Sequence, residues 1–102
     1  MISTSEHILK THKNKVPIIC DLSKNCGIIL DKQKFIIPRN VTIREFYCIL
    51  NKYITKTKND CIILFIKNIL PKGTDTIGDM YNQYKENDGF LYITVRKENT
   101  FG

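Results

Sequence analysis

The sequence predicts one α+β domain: a four-stranded mixed sheet packed on one main helix, with a short helix in front. Three observations lead there. The chain has 102 residues and a mass of 11.9 kDa, room for a single hydrophobic core. Its apolar residues change period from two to about 3.6 and back, in the order strand, strand, helix, strand, short helix, strand. Hydrophobic residues make up 42% and charged residues 25%, a globular balance that argues against both disorder and a fibrous repeat.

Each element has a local cause. Residues 5 to 14 are polar and basic around Ile8 and Leu9, and Thr4 or Ser5 can open a short amphipathic helix there. Val16-Pro17-Ile18-Ile19-Cys20 is β-branched and reads as a strand, with Pro17 tolerable near its start or at an edge. After a loop through Ser23, Asn25 and Gly27, Lys34-Phe35-Ile36-Ile37 reads as a second strand ended by Pro38, and the two suggest a hairpin. Thr42-Ile43-Arg44-Glu45 is a capping box, so the main helix starts there. Ile43, Phe46, Tyr47, Leu50 and Ile54 follow at helical spacing as one apolar stripe. Thr55 to Asp60 is a polar break. Cys61 to Ile66 is apolar on both faces, as expected of a central, doubly covered strand. Asn68 to Gly73 then turns around Pro71, Thr76 caps a second helix carrying Ile77, Met80, Tyr81 and Tyr84, and Asn87-Asp88-Gly89 is a turn. Phe90 to Val95 is the last strand, and the residues from Arg96 to Gly102 show no periodicity. Two hairpins gripping one helix make a β-grasp, or ubiquitin-like, arrangement. The expected division is an N-terminal helical extension over 1–15, the ubiquitin-like domain over 16–96 and a flexible tail over 97–102.

Composition narrows the function. The longest apolar run falls far short of the roughly 18 residues of a spanning helix. The N-terminus has no apolar h-region, so a cytosolic address is expected. The net charge is +6 and the pI about 9.2, which attracts acidic partners. Thirteen of the sixteen cations are lysines and only Arg39, Arg44 and Arg96 are arginines, which argues against nucleic-acid readout. The cysteines, Cys20, Cys26, Cys48 and Cys61, form no C-x-x-C pair, and His7 and His12 both lie at the N-terminus, so no metal or other cofactor is expected. Cys20, Cys48 and Cys61 read as buried reduced thiols, and Cys26 as the most exposed. With no nucleophile signature and no paired carboxylates in an apolar setting, an enzyme is not expected.

Specific residues then carry a resemblance. They are Lys15-Val16-Pro17-Ile18-Ile19, Asp31-Lys32-Gln33-Lys34-Phe35-Ile36-Ile37-Pro38, and Val41-Thr42 leading to Phe46-Tyr47. Phe65, Asn68, Pro71, Thr76-Ile77-Gly78 to Tyr81, Asp88-Gly89-Phe90-Leu91-Tyr92-Ile93 and the closing Phe101-Gly102 continue the set. In that order they resemble the autophagy ubiquitin-like modifiers of the autophagy-related protein 8, or GABARAP, family, over roughly residues 6 to 102.

The resemblance implies a modifier joined through Gly102 to the amine of phosphatidylethanolamine by E1-like and E2-like enzymes, and processed by a cysteine protease. It would be cytoplasmic when free and held on an autophagosomal or related membrane when lipidated. Glycine suits the attachment point, because no Cβ crowds the carbonyl under attack. The resemblance also implies binding of acidic motifs with an aromatic residue, two spacers and an aliphatic residue, carried by cargo receptors and added as a strand to the second strand. The aromatic pocket would use Ile8, Pro17, Ile19, Lys34, Ile36 and Phe90. The aliphatic pocket would use Phe35, Ile37, Pro38, Val41, Phe46, Ile49 and Leu50. Lys32, Lys34 and Lys10 would meet the acidic flanks, with Lys13 and Lys15 adding positive field. Each apolar member also reads as plain core, since alternate residues of one strand cannot all face outward.

Some positions depart from the family. Fifteen residues precede Val16 where the family carries two helices, Thr4 stands for an acidic residue and Tyr53 for a basic one, and Gly89 replaces an aromatic. Two rival readings share the fold: a modifier of the autophagy-related protein 12 type, joined to a lysine of one protein, and a non-conjugated β-grasp adaptor for which Gly102 is dispensable.

Overall fold

A computed structural model describes residue 10 and residues 13–22, 29–55 and 62–97. Its strands are β1 (Lys15–Leu22), β2 (Ile29–Leu30), β3 (Lys34–Pro38), β4 (Ile54–Thr55), β5 (Ile62–Phe65) and β6 (Leu91–Lys97); its helices are α1 (Ile43–Asn51) and α2 (Ile77–Tyr84). β1 is flanked by β3, antiparallel, and β6, parallel, and β5 pairs antiparallel with β6. The sheet order is therefore β3-β1-β6-β5, a mixed four-stranded sheet as the period changes predicted.

Alternation along the strands builds one core. Val16, Ile18 and Cys20 of β1, Phe35 and Ile37 of β3, Ile62 and Leu64 of β5, and Leu91, Ile93 and Val95 of β6 all lie in it. α1 covers them with Ile43, Phe46 and Leu50, spaced three and four residues apart on one face. Burying such side chains contributes about 1.5–3 kcal/mol each. The α1 cap has the expected form: the Thr42 hydroxyl accepts from the Glu45 N–H at 3.2 Å, and the Glu45 carboxylate accepts from the Thr42 N–H at 3.1 Å. Thr76 caps α2 by accepting from the Asp79 N–H at 3.2 Å.

α2 is held against the loop between β3 and α1. The Ile77 N–H donates to the Val41 carbonyl at 2.7 Å, and the Gly78 N–H to the Arg39 carbonyl at 2.9 Å. A Cβ on Gly78 would stand 2.9 Å from Arg39 Cβ and 3.0 Å from the Arg39 carbonyl oxygen, so only glycine lets the two backbones approach this closely.

The structure differs from the sequence expectations at several points. α1 ends at Asn51, so Ile54 is not part of its stripe; β-branched Ile54 and Thr55 form β4 and pair with β2, which the sequence reading left inside a loop. The Asp31 N–H donates to the Tyr53 carbonyl at 2.8 Å and ties this small sheet to the end of the helix. β5 is an edge strand rather than a central one, and its outer face is only half covered, with the Arg96 guanidinium 4.7 Å from the Phe65 ring centroid. Cys48 is exposed because α1 turns Phe46 and Leu50 inward, while Cys20 is buried as expected. The turn after β5 starts at Lys67 and Asn68, both with positive φ (50° and 67°), between bridged Ile66 and Ile69. β6 runs on through Arg96 and Lys97, opposite Ile63 and Ile62. Of the helix expected over residues 5 to 14, Lys10 is helical and exposed; Cys26 and Cys61 lie outside the described residues.

Gly78→Ala is expected to lower stability by about 1–2 kcal/mol, because the overlap with the Arg39 backbone outweighs the gain in helix propensity. Gly73→Ala, whose Cβ would meet only the Arg44 side chain at 3.5 Å, stays near neutral. Urea unfolding of both variants checks the contrast.

Candidate functional site

β3 is the open edge of the sheet: β1 pairs with one of its sides, and among the described residues no strand pairs with the other. An antiparallel strand directs alternate N–H and C=O groups away from its partner, so this side offers a ladder to an extended chain. Burial alternates along it, with Lys34 exposed, Phe35 buried, Ile36 exposed, Ile37 buried and Pro38 half-buried.

Apart from Pro38, the β3 members of the two predicted pocket sets fall on opposite faces of this edge. On the outer face Pro17 lies opposite Ile36 and Ile19 opposite Lys34, so the four share one side of the sheet. Ile36 is 41% exposed, Ile19 half-buried and Pro17 fully buried. Phe90, 8% exposed, stands outside the core cluster and just before Leu91, whose side chain is in the core. The pleat turns Phe90 to the outer side. Ile8 lies outside the described residues.

On the inner face the aliphatic set divides. Phe35, Ile37, Phe46 and Leu50 are core residues, and the Phe35 and Phe46 rings meet edge to face at 5.5 Å. Val41 and Ile49 are half-buried, and half-buried Pro38 has the parity of Lys34 and Ile36, which puts it at the outer end of the strand. Of the two readings open for these seven, plain core holds for Phe35, Ile37, Phe46 and Leu50, while Pro38, Val41 and Ile49 keep surface to offer. The cause is that β3 must supply Phe35 and Ile37 to the core.

Lys34 on β3, Lys15 opposite Pro38 and Lys32 beside Phe35 put positive charge along the edge; Lys10 and Lys13 are exposed. Lys32 Nζ stands 5.1 Å from the Phe35 ring centroid and 5.2 Å from that of Tyr53, while Tyr53 packs edge to face on Phe35 at 5.5 Å. Tyr53 thus extends the aromatic floor, and Lys32 supplies the cation beside it. No residue pattern announced that pairing, because it joins the β2–β3 turn to the end of α1.

Two further concavities lie away from β3. One, of about 260 Å³, runs between α1 and β5, lined by Ile43, Arg44, Tyr47, Ile62, Ile63, Leu64, Leu70, Pro71 and Gly73. The other, of about 470 Å³, is bordered by Asp21, Glu86, Asn87, Asp88 and Tyr92. In it the Tyr92 hydroxyl donates to Asp88 Oδ2 at 2.5 Å. That bond pushes the Tyr92 phenol up to about 12 and, with the Phe90 N–H, holds the Asp88 carboxyl below its ordinary value. Elsewhere, burial chiefly, with Asp21 nearby, pushes the Cys20 thiol up to about 12, so it stays protonated. Among the described residues no group of three or more His, Cys, Asp or Glu side chains could hold a metal ion, and no helix is long and apolar enough to cross a membrane. Gly102 lies outside the described residues, five positions after the end of β6.

The chain is similar to known proteins over nearly its whole length. The family model described as "Autophagy protein Atg8 ubiquitin like" matches residues 2–102. Autophagy-related protein 8 of Saccharomyces cerevisiae is 34% identical over 99 residues, covering 96% of this chain and 85% of the relative. The crystal structure of Trypanosoma brucei ATG8 superposes with a TM-score of 0.84 at 29% identity, covering 96% of this chain and 85% of that one. Plasmodium falciparum Atg8, solved in complex with a Plasmodium falciparum Atg3 peptide, gives 0.79 at 27% identity, covering 92% and 87%.

The Tyr92–Asp88 bond sets a pH signature. Because the folded-state phenol pKa is raised, the bond's contribution to stability is complete below about 10 and is lost as pH rises through about 12. Tyr92 is therefore expected to ionise above the ordinary tyrosine range. Asp88→Asn brings it back toward about 10, as residue-resolved NMR titration of the ring carbons would record.

Proposed function

The chain belongs to the Atg8 family of ubiquitin-like autophagy proteins, and from that premise we propose that it is the transferred partner in a lipid conjugation and the docking partner of motif-bearing receptors. Its substrate group is the Gly102 carboxylate. ATP adenylates that carboxylate with loss of pyrophosphate, a cysteine thiolate of an E1-like enzyme displaces AMP, and the thioester passes to an E2-like cysteine. The amine of phosphatidylethanolamine then attacks the carbonyl and expels the thiolate, leaving an amide. The Plasmodium relative solved with an Atg3 peptide supports an E2-like partner. The chain supplies the acyl group and no catalytic side chain. A cysteine protease would hydrolyse the same linkage, and the protein would move between cytoplasm and an autophagosomal or related membrane.

One observation carries the docking half of the reading. Residues three apart in an extended strand point to opposite faces. An aromatic-x-x-aliphatic segment added beside β3 therefore sends its aromatic residue to the face of Pro17, Ile19, Ile36 and Phe90, and its aliphatic residue to the face of Val41 and Ile49. The spacing of the motif and the two-faced edge are one geometric fact. Acids flanking the motif meet Lys32, Lys34 and Lys10, which raise the rate of encounter more than the final affinity.

Incubation with ATP, the family's E1-like and E2-like enzymes and liposomes containing phosphatidylethanolamine is expected to add the mass of one lipid and to float the protein with the vesicles. Gly102→Ala abolishes both changes while circular dichroism stays native. An adduct on a protein lysine instead, or none beside a competent positive control, rejects the lipid reading.

A further inference from the structure

The turn that leads into β6 is organised by a single carboxylate. Asp88 Oδ1 accepts the Phe90 N–H at 3.0 Å, and Oδ2 accepts the Tyr92 hydroxyl at 2.5 Å. Around it Gly89 takes a φ of 86°, the Gly89 N–H donates to the Glu86 carbonyl at 2.9 Å, and the Glu86 N–H donates to the Phe90 carbonyl at 2.9 Å. From α2 the Tyr81 hydroxyl closes on the Gly89 carbonyl at 2.7 Å. Phe90 therefore has both backbone polar groups committed to this turn, its N–H through Asp88 and its carbonyl through Glu86.

The fold does not require that arrangement for its core. β6 enters the core at Leu91, which is fully buried and lies opposite Ile18, whatever the preceding residue does. Asp88 itself is exposed. What its two bonds do is join two residues of the outer sheet face: Phe90 by its backbone, and Tyr92, opposite Ile19 in the β1–β6 pair, by its side chain. A ring just outside a strand, without such a tie, would sample several orientations, and a peptide side chain packing on it would have to select one.

We propose that Asp88 is a positioning residue for the aromatic side of the docking edge: by tying the Phe90 N–H to the Tyr92 hydroxyl it holds the Phe90 ring as a fixed wall, and so sets the preference for an aromatic over an aliphatic residue at the first motif position. This rests on the motif-binding reading above. Its consequence is one-sided. Loosening Phe90 penalises a peptide only through its aromatic side chain, whereas strand addition uses the backbone edge of β3 and packing on Val41 and Ile49 uses the opposite face, and both stay as they were.

The test uses the full chain and two acidic peptides that differ only at the first motif position, Trp-x-x-Leu and Val-x-x-Leu. Calorimetry gives both affinities, and because the chain has no tryptophan, indole emission reports the peptide alone. Asp88→Ala is expected to weaken the tryptophan peptide at least about fivefold and to leave the valine peptide within about twofold. The bound indole emission shifts toward that of the free peptide. Asp88→Asn, which keeps an acceptor for the Phe90 N–H, recovers most of the discrimination, and Tyr92→Phe falls between. If Asp88→Ala does not fold, Tyr92→Phe decides the matter on the same ratio, a selective loss for the tryptophan peptide being expected. Equal weakening of both peptides, or an unchanged ratio, makes Asp88 a turn cap only and overturns the proposal. Failure of the native chain to bind either peptide rejects the docking reading itself, and the positioning role with it.

Discussion

The edge-to-face contact of Phe35 with Phe46, at 5.5 Å, decides which residues β3 can offer to anything else. A strand has two faces with a strict period of two. Once Phe35 and Ile37 are drawn under α1, Lys34 and Ile36 are committed to the outside, and a slip of one residue would exchange the two sets. The antiparallel register with β1 carries the commitment inward, placing Pro17 and Ile19 beside Ile36 and Lys34. The helix that completes the core thereby also defines the outer groove, although it stands on the other side of the sheet.

The same sheet keeps its open edge at β3 apart from the end of β6. β3 and β5 are its two edges, and β6 ends at Lys97 beside Ile62 of β5. β6, the third strand of the sheet, thus ends two strand spacings or roughly 10 Å from β3. A chain held by its end at a membrane would keep β3 available, and the lysines along that edge would then face incoming acidic partners. The positive charge read from composition acquires a place in this way, with Lys32 set over two aromatic rings instead of ranging freely in solvent.

Much of this was legible in the residues because local and global causes coincide. The Thr42 capping box, the alternation of Lys34 to Ile37 and the Asn87-Asp88-Gly89 turn each satisfy a local rule in the direction the fold needs. The losses come from residues whose role is set by distant partners. Ile54 continues a helical spacing but joins a strand, because Ile29 and Leu30 are there to pair with it. Cys61 to Ile66 reads as central because an apolar strand can be half covered by a cation such as Arg96 as well as by a second layer. Cys48 was misplaced by composition alone. The division of the aliphatic set into core and surface members, and the two bonds of Asp88, depend on three-dimensional placement that no spacing encodes.

A peptide that adds to β3 with its two anchor side chains on opposite faces needs two residues between those anchors. The most direct measurement compares acidic peptides Trp-x-x-Leu and Trp-x-Leu, otherwise identical, while the backbone amides of Lys34 to Pro38 are followed by NMR. Removing one spacer puts both anchors on the same face of an extended chain. The account predicts an affinity loss of about tenfold or more for the shorter motif, and slowed exchange of the β3 amides with the longer one alone. Equal affinities, or binding that leaves the β3 amides unaffected, would contradict it.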